Sequence, residues 1–345
     1  MDANFKRRTT FVVTVCTGVA VAAILVWTTR VILLLLFAGF LGALLLNIMT
    51  EWLLETLKLR RSLAFSMVVT FIAVCLGLGT WMRGAAIAQQ FSDLQVDLPA
   101  AVHQVVSRLE AQRWGHWLLS RYAGWDQISS GLSYLLTRIG GAVATTASTL
   151  IGIFVVVAVS LYVAAEPASY LRILHHLTPV ARREKLDLCL ASATQLLRSW
   201  LFAKAISMLS IGVFIAVGLW ALHVPLAGTL GFIAALLTFI PNLGPVISVV
   251  PAALLAFAIS PTKGILTMLL FGIAHFLEGN IVTPLLERKI VTLPPALSLA
   301  VQLLLASVTG AIGVVLAAPL TAAMLGILMV LHPTDPRPSS ANTRA

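Results

Sequence analysis

An imidazole, a carboxyl and an amide, at His275, Glu278 and Asn280, stand close together inside the apolar run 264–283. An ionisable group in a bilayer is costly and is kept chiefly for function. A spacing of three puts His275 and Glu278 on neighbouring positions of one helix face, where they can titrate as a pair and relay a proton. Asn280 adds an amide for a polar cargo. The structural alternative is that Glu278 and Asn280 tie their helix to a neighbouring segment by hydrogen bonds. A second set lies in FIPNLGPV at 239–246, which carries Pro241, Asn242, Gly244 and Pro245. Asn242 offers an amide to a cargo or caps the helix that follows, a role for which asparagine is well suited.

These residues need elements that hold them in lipid. Pro241, Gly244 and Pro245 remove amide donors and disfavour helical backbone in the middle of the apolar run 225–259. Hydrocarbon offers no partner to the carbonyls so freed. Irregular backbone at that depth survives only where protein covers it or a watery cavity lies beside it. Half-helices that meet at such a break also point their amide ends at a bound solute. The break therefore predicts a transporter with this segment in or beside its pathway.

Of the 345 residues, 59% are hydrophobic and 10% charged, against about 25% charged in an ordinary soluble domain. Mean hydropathy is +0.98. The expected fold class is an all-α polytopic membrane protein of about eight membrane elements, some of them proline- or glycine-broken or re-entrant hairpins, with an amphipathic interfacial segment. The net charge of +10 sits beside apolar spans, as membrane-flanking charge does, and no nucleic-acid partner is expected. Lys6, Arg7 and Arg8 precede an apolar stretch that lacks a small-x-small cleavage site, so it reads as an uncleaved signal-anchor.

Runs of about 20 residues suffice to cross the hydrocarbon. Runs 11–27 and 31–49 are predicted as a hairpin with almost no loop, and 63–82 as a third span, so that residues 1–82 hold three helices. Residues 83–138 are more polar. Their apolar positions keep helical spacing in two stripes, Val102, Val105, Val106 and Leu109, then Ile128, Leu132, Leu135, Leu136 and Ile139. With Trp114, Trp117 and Trp125 between them, they are expected at the bilayer surface or packed on the protein's own spans. Residues 139–204 hold a fourth span and a linker helix, and 205–331 a transport core with broken helices. Pro251, Pro284, Gly310, Gly313 and Pro319 are the other expected structural breaks. The tail, 332–345, is expected to be disordered.

Lys6, Arg7 and Arg8 precede the first span and Lys58, Arg60 and Arg61 the third, while Arg30 stands alone between the first two. By the positive-inside rule the N-terminus is expected in the cytoplasm.

IPNLGP at 240–245, VPA at 250–252, EGN at 278–280 with Pro284, LPP at 293–295, GAIG at 310–313 and AAPL at 317–320 together resemble the ordered signature of the autoinducer-2 exporter family. The resemblance covers nearly the whole chain, and the C-terminal half is its specific part. Where that family tends to show a glycine and a glutamine, this chain has Ala203 and Lys204. The resemblance implies a homo-oligomeric transporter, for which a pentamer is one option, in the bacterial inner membrane, without ATPase parts. It implies export of a small polar solute, with autoinducer-2 as one cargo and sodium/proton exchange as the practice of some branches.

No Walker motif is present, which leaves secondary transport, and no cofactor or metal is called for. His175 and His176 lack further ligands at metal spacing. Glu51 and Glu55 read as a charged span end rather than a catalytic pair. Gly39 and Gly42 read as a site of close helix contact. Three functions stay open: a secondary exporter of a small polar solute, a cation/proton antiporter using His275 and Glu278, and a non-transporting membrane scaffold. No enzyme constellation is visible.

Overall fold

In the computed structural model of the chain, residues 3–110, 147–286 and 295–332 are described, and every regular element among them is a helix. Helix α1, Ala3–Leu57, runs 55 residues without interruption, so the hairpin expected near Thr28 does not form. Its polar triplet is absorbed by the helix. The Thr28 hydroxyl donates to the Ile24 and Leu25 carbonyls at 3.0 Å, and Thr29 to Leu25 at 2.6 Å. Arg30 donates to the Trp27 carbonyl at 2.9 Å and stacks over the Trp27 ring at 4.4 Å. No glycine or proline stands there to end the helix. One rod of about 80 Å puts the basic residues at 6–8 and those at 58–61 at opposite ends, which removes the argument that placed both on one side.

Helix α2, Arg61–Glu110, passes straight through the compositional boundary at 83. Its outer half packs on the protein: Leu94, Leu98 and Ala101 are buried in a core shared with later helices. Val102, Val105 and Val106 are half-buried there. The second stripe and the tryptophans at 114, 117 and 125 lie outside the described residues.

Helix α3, Ala147–Ala165, lies parallel to α1, since Gly152 meets Leu35, Val159 meets Gly39 and Ser160 meets Gly42. A side chain on Gly39 would stand 2.6 Å from Val159, and the Ser160 hydroxyl donates to the Gly39 carbonyl at 3.0 Å. The two small residues expected at a helix contact are at one. Helix α4, Pro167–Leu177, leaves α3 at 88°. A single 3-10 turn, Val180–Arg182, leads into α5, Arg183–Ala221. The remaining helices are α6, Ala227–Thr238; α7, Leu243–Ile259; and α8, Pro261–Leu277, followed by a π-helical turn, Glu278–Val282. Then come α9, Thr283–Leu286; α10, Pro295–Thr309; and α11, Ala311–Leu331.

Two hydrophobic cores organise these helices. One joins α2, α5, α6, α7 and α8 through residues such as Ile211, Ile215, Leu219, Leu230, Leu255 and Phe271. The other joins α1, α5 and α11 through Leu41, Leu44, Leu197, Trp200 and Leu316. Helix α5 belongs to both.

Among the described residues four helices are long and apolar enough to cross a membrane: Trp27–Leu57, Val180–Ala221, Pro261–Leu285 and Ala311–Leu331. The bent α3–α4 pair can make a fifth. That is fewer than the eight elements expected, because α6, α7 and much of α10 are apolar but short.

The breaks divide into real and absorbed ones. Gly310 ends α10 at φ +68°, in backbone that favours glycine. Pro284 marks a change of winding rather than an end: it follows the π-helical turn, whose wider winding accommodates the amide that proline lacks, and the helical course runs on to Leu285. Pro251 and Pro319, by contrast, lie inside the unbroken helices α7 and α11, and Gly313 lies within the first turn of α11. Those three are not breaks. Membrane helices tolerate proline where neighbours and small local adjustments satisfy the freed carbonyl, and Pro319 is packed in the interior. Gly313 instead allows close contact with Leu305 and Thr309 of α10.

Candidate functional site

The connection between α6 and α7 is held by an unusual turn. The Leu243 amide donates to the Pro241 carbonyl at 2.7 Å, closing a three-residue γ-turn centred on Asn242 at φ +65°, ψ −48°. This hand of γ-turn is rare and strained for a residue with a Cβ, at a cost of about 1–3 kcal/mol. Pro241 contributes its fixed φ and lacks an amide that would otherwise need a partner. Gly244 follows, buried, so close to the Leu237 carbonyl that a Cβ would collide with it. Asn242 holds the N-cap position of α7, but its side chain makes no capping bond.

The freed backbone is covered by protein. Gln302, buried in α10, donates its amide to the Pro241 carbonyl at 3.1 Å. The Phe239 ring meets Trp200 edge-on at 5.4 Å between centroids.

Beside this turn lies a cavity of about 470 Å³. Trp200, Ala203, Lys204 and Ser207 of α5 form one wall, and Thr238, Pro241, Asn242 and Pro245 another. His275 of α8, Glu278 and Gly279 of the π-helical turn, and Thr283 close it. His275 Nδ1 stands 4.0 Å from Glu278 Oε2, each side chain 16% exposed. That gap exceeds a hydrogen bond, and both imidazole nitrogens are buried without a partner among the described residues. On the α5 wall, Lys204 and Ser207 line the same cavity as Glu278. The cavity thus offers a carboxyl, an ammonium, an imidazole with unused hydrogen-bonding capacity and the Asn242 amide within one small space.

Of the residues singled out in the sequence, Pro241, Asn242, Pro245, His275 and Glu278 are brought together on this cavity. Gly244 and Asn280 are not on its wall. Gly244 serves the close packing already described. Asn280 turns outward, and its amide donates to the Phe276 carbonyl of its own helix at 2.9 Å. On the α5 wall the sequence singled out Ala203 and Lys204 only as a departure from the family pattern, and it missed Trp200, Ser207 and Gln302. The wall left a trace: positions 200, 203, 204 and 207 recur at helical spacing and set a lysine and a serine on one face. Gln302 acts on a carbonyl far along the chain, which no local pattern reveals.

Two other hollows have different chemistry. A cleft of about 650 Å³ between α4 and α5 contains Asp187 and Arg198, and a groove of about 480 Å³ between α1, α2 and α5 is lined almost wholly by apolar side chains such as Trp52 and Phe71. Arg198 is engaged by Glu51 in two 2.7 Å bonds that tie α5 to α1. Among the described residues no group of three or more histidine, cysteine or acidic side chains gathers as a metal site.

A family model described as AI-2E family transporter matches residues 15–332. "Putative transport protein YrrI" of Bacillus subtilis (strain 168) is 28% identical over 155 residues, 45% of this chain and 44% of that protein. The chain therefore matches less than half the length of that relative. "Putative transport protein YueF" of the same organism is 21% identical over 277 residues, 77% of this chain and 75% of that protein. A match over nearly all of the sequence, on a multi-pass helical protein broken at a polar cavity, leads to one conclusion: the chain belongs to the AI-2E family of transporters.

Proposed function

We propose that this chain is a secondary exporter of a small polar solute, and that autoinducer-2 is a candidate cargo. The observation that carries the reading is the convergence of Glu278, His275, Lys204 and Asn242 on one cavity of about 470 Å³ beside a helix break. The His275 nitrogens are buried without a partner among the described residues, which is costly unless a ligand satisfies them, and a cavity of this size suits a small hydrogen-bonding molecule. The protein is proposed to work as a homo-oligomer in the bacterial inner membrane. The turn bearing Lys58, Arg60 and Arg61 is placed in the cytoplasm by its charge. A cytoplasmic N-terminus requires a turn near Arg30 that α1 does not make.

A second reading, cation/proton exchange, rests on the His275–Glu278 pair at 4.0 Å. Flux into proteoliposomes separates the two. Purified protein should move a hydroxylated solute down its gradient, and Glu278→Gln should abolish that movement while the protein assembles normally. Sodium-dependent proton movement without solute flux would favour exchange instead. Absence of both across a broad solute panel would leave a membrane scaffold.

A further inference from the structure

Helix α4 has three faces with three different fates. One is tied to α5, where His175 Nε2 and Asp187 Oδ1 stand 2.6 Å apart. A second is polar: Ser169 donates to the Glu166 carboxylate at 3.1 Å, Arg172 to the Ser169 hydroxyl at 3.0 Å, and His176 contacts the Arg172 carbonyl. The third carries Tyr170, Ile173, Leu174 and Leu177, whose spacing makes a single apolar stripe. These four are exposed by 41%, 57%, 39% and 78%, and no residue of α4 is buried. The protein leaves this stripe uncovered while fixing the helix against rotation.

Direction comes from α3. It runs parallel to α1, so it ends on the same side as the Lys58, Arg60 and Arg61 turn. A helix at 88° to α3 lies along the bilayer plane, and at 11 residues, about 16 Å, it is too short to cross. Around α4, over 166–187, the chain carries Arg172, Arg182, Arg183 and Lys185 against Glu166, Glu184 and Asp187, with Asp187 taken up by the contact to His175. A second copy of α4 would bring like charges together, whereas an anionic leaflet complements them.

We propose that α4 is an interfacial anchor. Its stripe enters the boundary between headgroups and acyl chains, and Arg172, Arg182 and Arg183 engage anionic headgroups. This holds the start of α5, whose further course lines the cavity, at a fixed depth in the leaflet.

The test uses full-length protein with Cys16, Cys75 and Cys189 replaced. Single cysteines at Ile173 and Leu174 on the stripe, and at Ala168 and His176 off it, carry an environment-sensitive fluorophore in vesicles of phosphatidylcholine with or without phosphatidylglycerol. Lipids brominated on the acyl chain should quench the stripe labels roughly threefold more than the others, and aqueous iodide should do the reverse. Phosphatidylglycerol should enlarge the difference, and Arg182→Gln with Arg183→Gln should cancel that enlargement. The proposal is overturned if iodide reaches stripe and polar labels equally. It is also overturned if the stripe is shielded from both quenchers, which would mean protein or a second copy covers it, or if anionic lipid makes no difference.

Discussion

Asn242 carries the strain of the site on one residue. Its γ-turn is cheap for glycine and costly for a β-branched side chain. Asn242→Gly should therefore keep the unfolding temperature in detergent at or above that of the parent, while Asn242→Val should lower stability by about 1–3 kcal/mol. Flux should fall in both, because each removes the amide from the cavity wall. Normal transport by Asn242→Gly would reduce the residue to a turn former. Gln302 gives a complementary prediction. Gln302→Leu preserves much of the volume but leaves the Pro241 carbonyl without the amide that covers it, at a cost of about 1–3 kcal/mol, measurable as a lowered unfolding temperature. His275, Glu278, Asn242 and the prolines beside it were legible because polar groups and breakers stand out in an apolar run. Lys204 stood out only as a departure from the family pattern, because it lies at the apparent end of a polar segment, and Gln302 was hidden by the sequence distance to its partner.

At the scale of elements, the sequence located helical matter well and helix ends poorly. Thr28, Thr29 and Arg30 look like a turn, yet each bonds back to a carbonyl one turn earlier, so polarity alone did not end α1. Pro251 and Pro319 look like breakers, but their helices continue through them. Gly310, with its positive φ, and the strained turn at Asn242 are where the backbone truly leaves the helix. The α6–α7 unit, with its fixed turn, is expected to move as a body against α1. Disulfides that tie α6 or α7 to the first two helices should then arrest flux, and reduction should restore it. Unchanged flux in the crosslinked protein would rule out that motion. The α1–α3 contact is expected to be static. Gly42→Leu would press a side chain into Ser160 and should destabilise by about 1–3 kcal/mol, read as a lower unfolding temperature.

Taken as a whole, the molecule presents many large apolar side chains outward, Phe154, Tyr162, Leu209 and Trp220 among them, as a protein solvated by lipid does. The proposed homo-oligomer can be weighed directly: native mass spectrometry of protein released from mild detergent should give a defined multiple of the 36.9 kDa chain, and a strictly monomeric species would reject it. A different consequence follows from α5, which threads both hydrophobic cores and lines the cavity with Trp200, Ala203, Lys204 and Ser207. A shared axle cannot report to one body without reporting to the other. Any solute that grips this stretch more tightly in one arrangement of the two cores biases that arrangement, and by reciprocity a lesion deep in either core alters the grip. Leu230 and Leu316, which lie off the cavity wall, are thus positions where truncation to alanine would be read as a change of affinity.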